Sequence, residues 1–382
     1  MGMTRLYTEE FSSEQLVCST CPHFEECGSC QLQHISDEHY KTWKADRLKT
    51  LLAENELEIE EWLEPVFISE GGRRRVTLNA LRHENEVFIG YNKYHSHDLA
   101  PIKNCLLLTP QLQSIVEKLP QALKNIAHKN HAIELLVQEA DGGLFDCVIT
   151  GLDETGARQT GSIAAMAEQC GLARISFRKD AFSKCETQVS LTPIKKTNGA
   201  ITVDLPAAAF LQPSAAGETA LINAVLQGLS RHKLGKKDKV ADLFSGCGTF
   251  AGHLLNKYTV HAAEGDWAMA NSLVEAAKGH ARFSAEVRDL FKEPIVGREL
   301  RDYKAAVFDP PRAGAKEQAQ MLAKSNLPVV IGVSCNPSTF ARDAKILLAG
   351  GYKLKTIQMV DQFTWSTHTE LVGVFEKYSL LT

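Results

Sequence analysis

From about residue 215 to the C-terminus, apolar runs of strand length alternate with longer helical stretches, and no other feature of the chain restricts its fold so much. The runs are residues 240–244, 260–264, 305–308 and 329–334. Neighbouring parallel strands need a crossover about as long as a helix, and helices so placed cover both faces of the sheet, which leaves its strands apolar throughout. The pattern predicts an α/β fold with a doubly wound parallel sheet. Two last runs, residues 353–360 and 370–376, follow without an evident helix between them and are expected to form an antiparallel hairpin at the sheet edge.

Upstream, from about residue 60 to 205, the runs are short and alternating, as in residues 75–82, 132–138 and 144–149, with Gly, Asn and Asp turns between them. That is the pattern of a β-rich domain. Ahead of it lie a cysteine cluster and an amphipathic helix over residues 37–53. The chain thus divides into an N-terminal segment (1–58), a β-rich central domain (59–208) and a doubly wound domain (209–382).

The 382 residues, 44% hydrophobic and 23% charged, suffice to bury full cores. The opening Met1-Gly2-Met3-Thr4-Arg5-Leu6 has no apolar signal region and resembles a myristoylation start only superficially; no run reaches the length of a membrane span, so a cytoplasmic chain with no membrane partner is expected. The net charge of −4 excludes a global basic field, and contact with a nucleic acid would have to be local. Ten cysteines do not form a disulfide framework here, because four crowd between Cys18 and Cys30 and the others are scattered through apolar segments. A metal site is the better reading. By spacing alone, Cys18-x-x-Cys21 and Cys27-x-x-Cys30 suit tetrahedral zinc, although the interval between the pairs is short for it.

Asp242-Leu-Phe-Ser-Gly-Cys-Gly248 ends an apolar strand and opens a helix, so its glycines let the backbone approach a ligand. Glu264 ends the next strand, where a carboxylate can accept both hydroxyls of a ribose. The third glycine of a dinucleotide site and the Gly-Lys-Ser/Thr of a phosphate loop are both missing. S-adenosylmethionine, which has no phosphate, fits better than either nucleotide; the bland alternative is a simple tight turn. In Asp309-Pro-Pro-Arg312, also at a strand end, the prolines hold Asp309 extended and aimed at cofactor and substrate. An aromatic residue usually follows the two prolines in enzymes that methylate exocyclic amines; Arg312 stands there instead and turns the reading towards a carbon.

Cys335 lies where strand 329–334 meets a turn, the end of the sheet at which ligands bind, although the same placement also suits a buried structural thiol. The C5 carbon of uracil is a poor nucleophile until a thiolate adds to C6, and a base must then remove the C5 proton. Cys335 and Glu370 are the available pair, with a solvated Glu370 at a strand start as the plain alternative.

Phe210-Leu-Gln212, Asp242-Leu-Phe-Ser-Gly-Cys-Gly248, Asp309-Pro-Pro-Arg312, Ser334-Cys-Asn-Pro-Ser-Thr-Phe-Ala-Arg-Asp343 and His368-Thr-Glu370 resemble the ordered motifs of the bacterial RNA uridine-5-methyltransferase family over nearly the whole chain. The resemblance implies a Rossmann-like methyltransferase domain, Cys335 as nucleophile and Glu370 as base, with Gln212, Phe244, Thr249, Glu264, Asp289 and Asp309 around S-adenosylmethionine. It also implies that Cys21, Cys27, Cys30 and the distant Cys105 hold a [4Fe-4S] cluster, structural or RNA-positioning, ahead of zinc and with Cys18 spare. The chain departs from the family at Ser214 and at Thr364-Trp365-Ser366, positions that bear on substrate fit.

Arg73-Arg74-Arg75, Lys93, Lys103 and the 41–49 helix face are candidates to grip RNA phosphates, and Phe24, Tyr91, Tyr94 and Trp365 to stack on bases. An N-terminal RNA-binding barrel common among relatives is expected to be absent. That short form resembles the members acting on 23S ribosomal RNA more than those acting on transfer RNA, and no obligate protein partner is evident. The competing reading, an inactive iron–sulfur RNA-binding or redox-responsive protein, is opposed by the intact Cys335, Glu370 and Glu264. Cytosine as target is opposed by Asp309-Pro-Pro-Arg312, where such enzymes carry Pro-Cys.

Overall fold

The computed structural model describes residues 7–152 and 157–377; the opening Met1-Gly2 run lies outside them. The strands are β1 (Ile59–Trp62), β2 (Val66–Phe67), β3 (Arg75–His83), β4 (Glu86–Asn92), β5 (Leu99–Pro101), β6 (Ala132–Glu139), β7 (Phe145–Thr150), β8 (Leu172–Arg178), β9 (Glu186–Ser190), β10 (Lys195–Asn198), β11 (Ile201–Asp204), β12 (Lys239–Leu243), β13 (Thr259–Glu264), β14 (Phe283–Val287), β15 (Tyr303–Phe308), β16 (Val329–Ser334), β17 (Lys353–Asp361) and β18 (Glu370–Glu376). The α-helices are α1 (Asp37–Glu54), α2 (Pro110–Ala122), α3 (Ala157–Cys170), α4 (Ala215–Ser230), α5 (Thr249–Leu254), α6 (Trp267–Ala277), α7 (Lys316–Ala323) and α8 (Pro337–Ala349).

The C-terminal strands form a nine-stranded sheet in which β14, β13, β12, β15 and β16 are consecutive and parallel. Alternate residues of each strand fall into two cores. Val240, Val260, Val307 and Ile331 face one, and Ala241, Leu243, Phe308 and Val330 face the other. Burial on both faces is why these runs read as continuously apolar. The winding reverses between β12 and β15, and a crevice opens outside their carboxyl ends.

The hairpin expectation needs a correction. β18 runs antiparallel between β16 and β17, and beyond β17 the sheet continues through β1 and β2, both parallel to β17. The hairpin is therefore interior. Strands of four and two residues are too short to show a period, so residues 59–67 read with the central domain although they pair with the last sheet.

The middle sheet has the order β5-β4-β3-β6-β7-β8-β9, antiparallel except for β7 and β8, which α3 connects. One face buries Leu78, Leu135 and Ile149 against Leu112, Ile115 and Leu119 of α2 and Ile163 and Met166 of α3. The two helices were not foreseen. For α2 a signal was present: Pro110 occupies the first turn, and Thr109 Oγ1 caps it by accepting the Leu112 N–H at 3.3 Å. The β10–β11 hairpin leans on the glycine loop of the last sheet, where Asn198 Nδ2 donates to the Cys247 carbonyl at 2.8 Å.

Helix α1 forms where its periodicity predicts and buries Leu48 and Leu52 in the core that also holds Leu347 and Phe375. On the same buried face lies Lys44, read from sequence as one of a phosphate-gripping row. It points inward instead. Its ammonium meets the Asp361 carboxylate, and the Tyr40 hydroxyl donates to the same carboxylate. Burial lowers the Lys44 pKa to about 8, partly offset by Asp361. Lys41 and Lys49 do face solvent, paired with Asp37 and Asp46. Lys44→Met, which leaves Asp361 without its cation, should cost about 3–5 kcal/mol in urea denaturation, and Lys44→Met/Asp361→Leu should recover most of it.

Candidate active site

Strand pairing sets the geometry of the crevice. Ser334 of β16 lies opposite Leu371 of β18, so the residues one step outward, Cys335 and Glu370, face each other at the carboxyl edge. The Cys335 turn is held rigidly. Asn336 Oδ1 caps α8 by accepting the Ser338 N–H at 3.1 Å, while Asn336 Nδ2 and Thr339 Oγ1 both donate to the Arg312 carbonyl, at 3.0 and 3.2 Å. The Cys335 thiol is half-buried in the wall of a cavity of about 250 Å³ lined also by Lys44, Arg47, Arg312, Thr367 and His368. Burial raises the thiol pKa, Glu370 and Asp309 raise it further, and Arg312 opposes them. Arg312 Nη2 stands 3.2 Å from His368 Nε2, and burial followed by the charges of Arg312 and Lys44 lowers the His368 pKa.

Glu370 is buried. Its carboxyl is pushed up to about 8, chiefly by burial and then by Asp309, with Asp361 adding to it. Gln362 Nε2 donates both to the Glu370 carboxylate and, at 2.7 Å, to Gln212 Oε1. Gln362 escaped the sequence reading; a lone amide just past an apolar strand was the only signal it offered. Gln212 is thereby joined to Glu370 through Gln362.

That loop carries three residues of positive φ, Phe244 at 60°, Gly246 at 55° and Gly248 at 83°. A Cβ on Gly246 would meet nothing within 4 Å, so this backbone is open to the crevice, whereas one on Gly248 would strike Leu273 at 2.7 Å. Glu264 holds the loop by accepting N–H groups from Gly246 and Asp266, both at 2.7 Å. Asp242 is fully buried; one carboxylate oxygen accepts the Ala251 N–H at 2.7 Å and the other has no partner. Burial raises its pKa to about 8, with Asp309 and Glu264 adding to it; burial and Glu264 raise Asp309 to about 7. Phe244 packs on Phe291 at 5.3 Å, Thr249 opens α5, and Asp289 follows β14 beside Glu264 and Gly265. An orphaned carboxylate oxygen, an open glycine backbone and mutually repelling acids suit a cationic nucleoside such as S-adenosylmethionine and would repel a phosphate.

Cys21, Cys27, Cys30 and Cys105 line one pocket with Phe24, Tyr91 and Leu107, while Cys18 is exposed outside it. The spacing-based zinc set that included Cys18 is thus not assembled. Among the described residues no group of three or more His, Cys, Asp or Glu is able to hold a single metal ion; the four thiols instead surround a common space. Burial, with the neighbouring thiols adding to it, raises Cys27 to about 11 and Cys30 to about 12. Such thiols are costly to ionise without a cation among them.

The basic run is mostly internal. Arg74 Nη2 pairs with Glu218 at 2.7 Å and its Nε donates to the Gln212 carbonyl at 3.1 Å, while Arg75 stacks on Phe210 at 5.0 Å and burial lowers its pKa to about 10. Phe24, Tyr91 and Trp365, read as base-stacking candidates, line or pack against the thiol pocket. Glu370→Gln should speed iodoacetamide alkylation of Cys335 several-fold at about pH 9, where Glu370 is ionised, followed by mass spectrometry of the peptide bearing Cys335. An unchanged rate would mean that the carboxylate does not act on the thiol.

Residues 195–378 match a family model described as tRNA (Uracil-5-)-methyltransferase. A Mesorhizobium japonicum protein named an uncharacterized RNA methyltransferase is 36% identical over 362 residues, 94% of this chain and 84% of that one. The 23S rRNA (uracil(1939)-C(5))-methyltransferase of Halomonas elongata is 29% identical over 377 residues, 96% and 78% of the two chains. The crystal structure of Pyrococcus abyssi tRNA (uracil-54, C5)-methyltransferase with S-adenosyl-L-homocysteine superposes with a TM-score of 0.69 over 91% of this chain and 86% of that one, at 18% identity, which is a likeness of fold. Among the described residues no helix is long and apolar enough to cross a membrane.

Proposed function

This chain belongs to the S-adenosylmethionine-dependent RNA uracil-5-methyltransferase family, and on that premise we propose that it methylates C5 of one uridine in RNA through Cys335 and Glu370. The observation that carries the reading is the meeting of a thiol and a buried carboxyl across paired strands, with the thiol in the wall of a cavity. The named relatives act on ribosomal and on transfer RNA; 23S ribosomal RNA is favoured, since the Halomonas elongata enzyme so named is 29% identical in sequence, against 18% for the transfer-RNA enzyme.

The Cys335 thiolate adds to C6, its electron pair forming the S–C6 bond as the C5–C6 electrons move towards the C4 carbonyl. Glu264, Asp242, Asp309 and the Gly246 backbone, with Gln212, Phe244, Thr249 and Asp289 nearby, would hold S-adenosylmethionine, whose methyl group would pass to C5 as the enolate electrons return and the sulfonium–methyl bond breaks to leave S-adenosylhomocysteine. Glu370 then removes the C5 proton, the C5–C6 double bond re-forms and the thiolate leaves C6. A carboxyl raised to about 8 is a stronger base than an ordinary one and still partly ionised near neutrality. Gln362 holds it in place, and Arg312 favours the Cys335 thiolate. A uridine within a helix must be extruded to reach the cavity.

Cys21, Cys27, Cys30 and Cys105 would hold a [4Fe-4S] cluster of structural role, pinning the N-terminal segment to the middle sheet; ten free thiols and an RNA substrate accord with a cytoplasmic setting. Anaerobically purified protein should contain iron and acid-labile sulfide, and Cys105→Ser should lose both.

Cys335→Ala should abolish methylation while S-adenosylmethionine binding stays within a few-fold. Glu370→Gln should slow turnover about 10²–10⁴-fold and accumulate an RNA–protein adduct on denaturing gels, since proton removal precedes release. Wild-type kcat should fall as pH drops below about 8, where Glu370 becomes protonated. Position-mapped nucleoside mass spectrometry of cells with and without the gene identifies the RNA; unchanged 5-methyluridine would refute the reading.

A further inference from the structure

The loop of residues 362–369 carries Gln362 and His368 and delivers Glu370 to the crevice. Its anchor lies in the N-terminal segment. The Trp365 carbonyl accepts the N–H groups of Gln31 at 2.8 Å and Leu32 at 3.0 Å, directly after Cys30. The Trp365 N–H donates to the Tyr40 hydroxyl at 3.0 Å, and Thr364 Oγ1 donates to the Ile68 carbonyl at 2.7 Å. The Trp365 side chain packs against the cluster of Phe24, Cys30 and Leu107, alongside Cys21 and Cys105. Its φ is 59°, a left-handed backbone that a bulky side chain adopts only where its surroundings enforce it.

We propose that Trp365 is a positioning residue through which the four-thiol pocket sets the placement of Glu370. One side of the loop is sealed into the thiol pocket and the other bears the base, so loosening the first displaces the second. The proposal rests on Glu370 acting as the base. Glu370 is faced by Asp309 at the end of β15, Asp361 at the end of β17, Cys335 after β16 and the amide of Gln362, and Lys44, Arg312 and His368 line the cavity that Cys335 borders. Burial is the largest cause of its raised pKa, so water admitted by a loosened loop lowers it.

The test compares full-length Trp365→Asn, which tolerates the left-handed backbone but lacks the apolar anchor, with Trp365→Phe and Cys105→Ser. Trp365→Asn should lower kcat about 10–100-fold with KM for RNA within about threefold, shift the acidic limb of the kcat profile below the wild-type value, and speed amide exchange of residues 363–369. Trp365→Phe should recover most of kcat. Cys105→Ser should show the same faster exchange in that loop. Wild-type kcat and exchange in Trp365→Asn, or an unchanged loop in Cys105→Ser, would overturn the proposal. Full activity in Glu370→Gln would instead refute the base assignment, and iron-free wild-type protein the cluster assignment. The exchange measurements decide the positioning role in either case.

Discussion

The site depends on one reversed strand. All seven residues of β18 are buried, and it pairs with β16 on one side and β17 on the other. A parallel strand in that slot would turn its last residue, Glu376, to the carboxyl edge, and the reversal turns Glu370 there instead. Residues 362–369 are too few for a parallel crossover, so the brevity of the connection enforces the reversal. A one-residue slip would turn each β18 side chain to the opposite face of the sheet, and burial on both faces makes that slip prohibitive.

Carboxylates dominate the crevice. Asp242, Asp309 and Glu370 all have raised pKa values, each chiefly through burial and then through one another or Glu264. A raised carboxyl binds its proton more tightly folded than unfolded. Its contribution to stability is whole below the ordinary carboxylate range and is lost as pH rises through about 7 to 8. These carboxyls therefore carry a cost near neutrality that a sulfonium and an amino group relieve, and the same electrostatics disfavour a phosphate-bearing cofactor. Selectivity follows from what the site fails to neutralise.

The doubly wound sheet was legible because residues 240–244 and 329–334 are apolar on both faces of the strand, interrupted only by Asp242 and by Ser334 at the strand end, a pattern that two-sided burial demands. β1 and β2 were not, because strands of four and two residues have no period. The thiol and carboxyl were legible as a chemically matched pair at two strand ends. Gln362, Asp361 and Lys44 were not: Lys44 sits between Lys41 and Lys49 in a row that reads as solvated, and only the packing of α1 on the sheet decides which lysine faces in. Arg74 misled for the same reason, since a basic run looks alike whether it meets phosphate or Glu218.

The walls of the crevice come from distant parts of the chain, and buried polar contacts join them. Arg74 ties the middle sheet to the Gln212 backbone and Glu218, Lys44 and Tyr40 tie α1 to Asp361, and the Gln31 and Leu32 amides tie the cysteine segment to Trp365. An apolar interface tolerates sliding by a fraction of a side chain, whereas a buried charge leaves its partner only at a large cost. Three such ties converge on residues flanking Gln212, Gln362 and Glu370. The thiol pocket is thus connected to the crevice through directional contacts, which transmit a displacement where a purely apolar interface would absorb it.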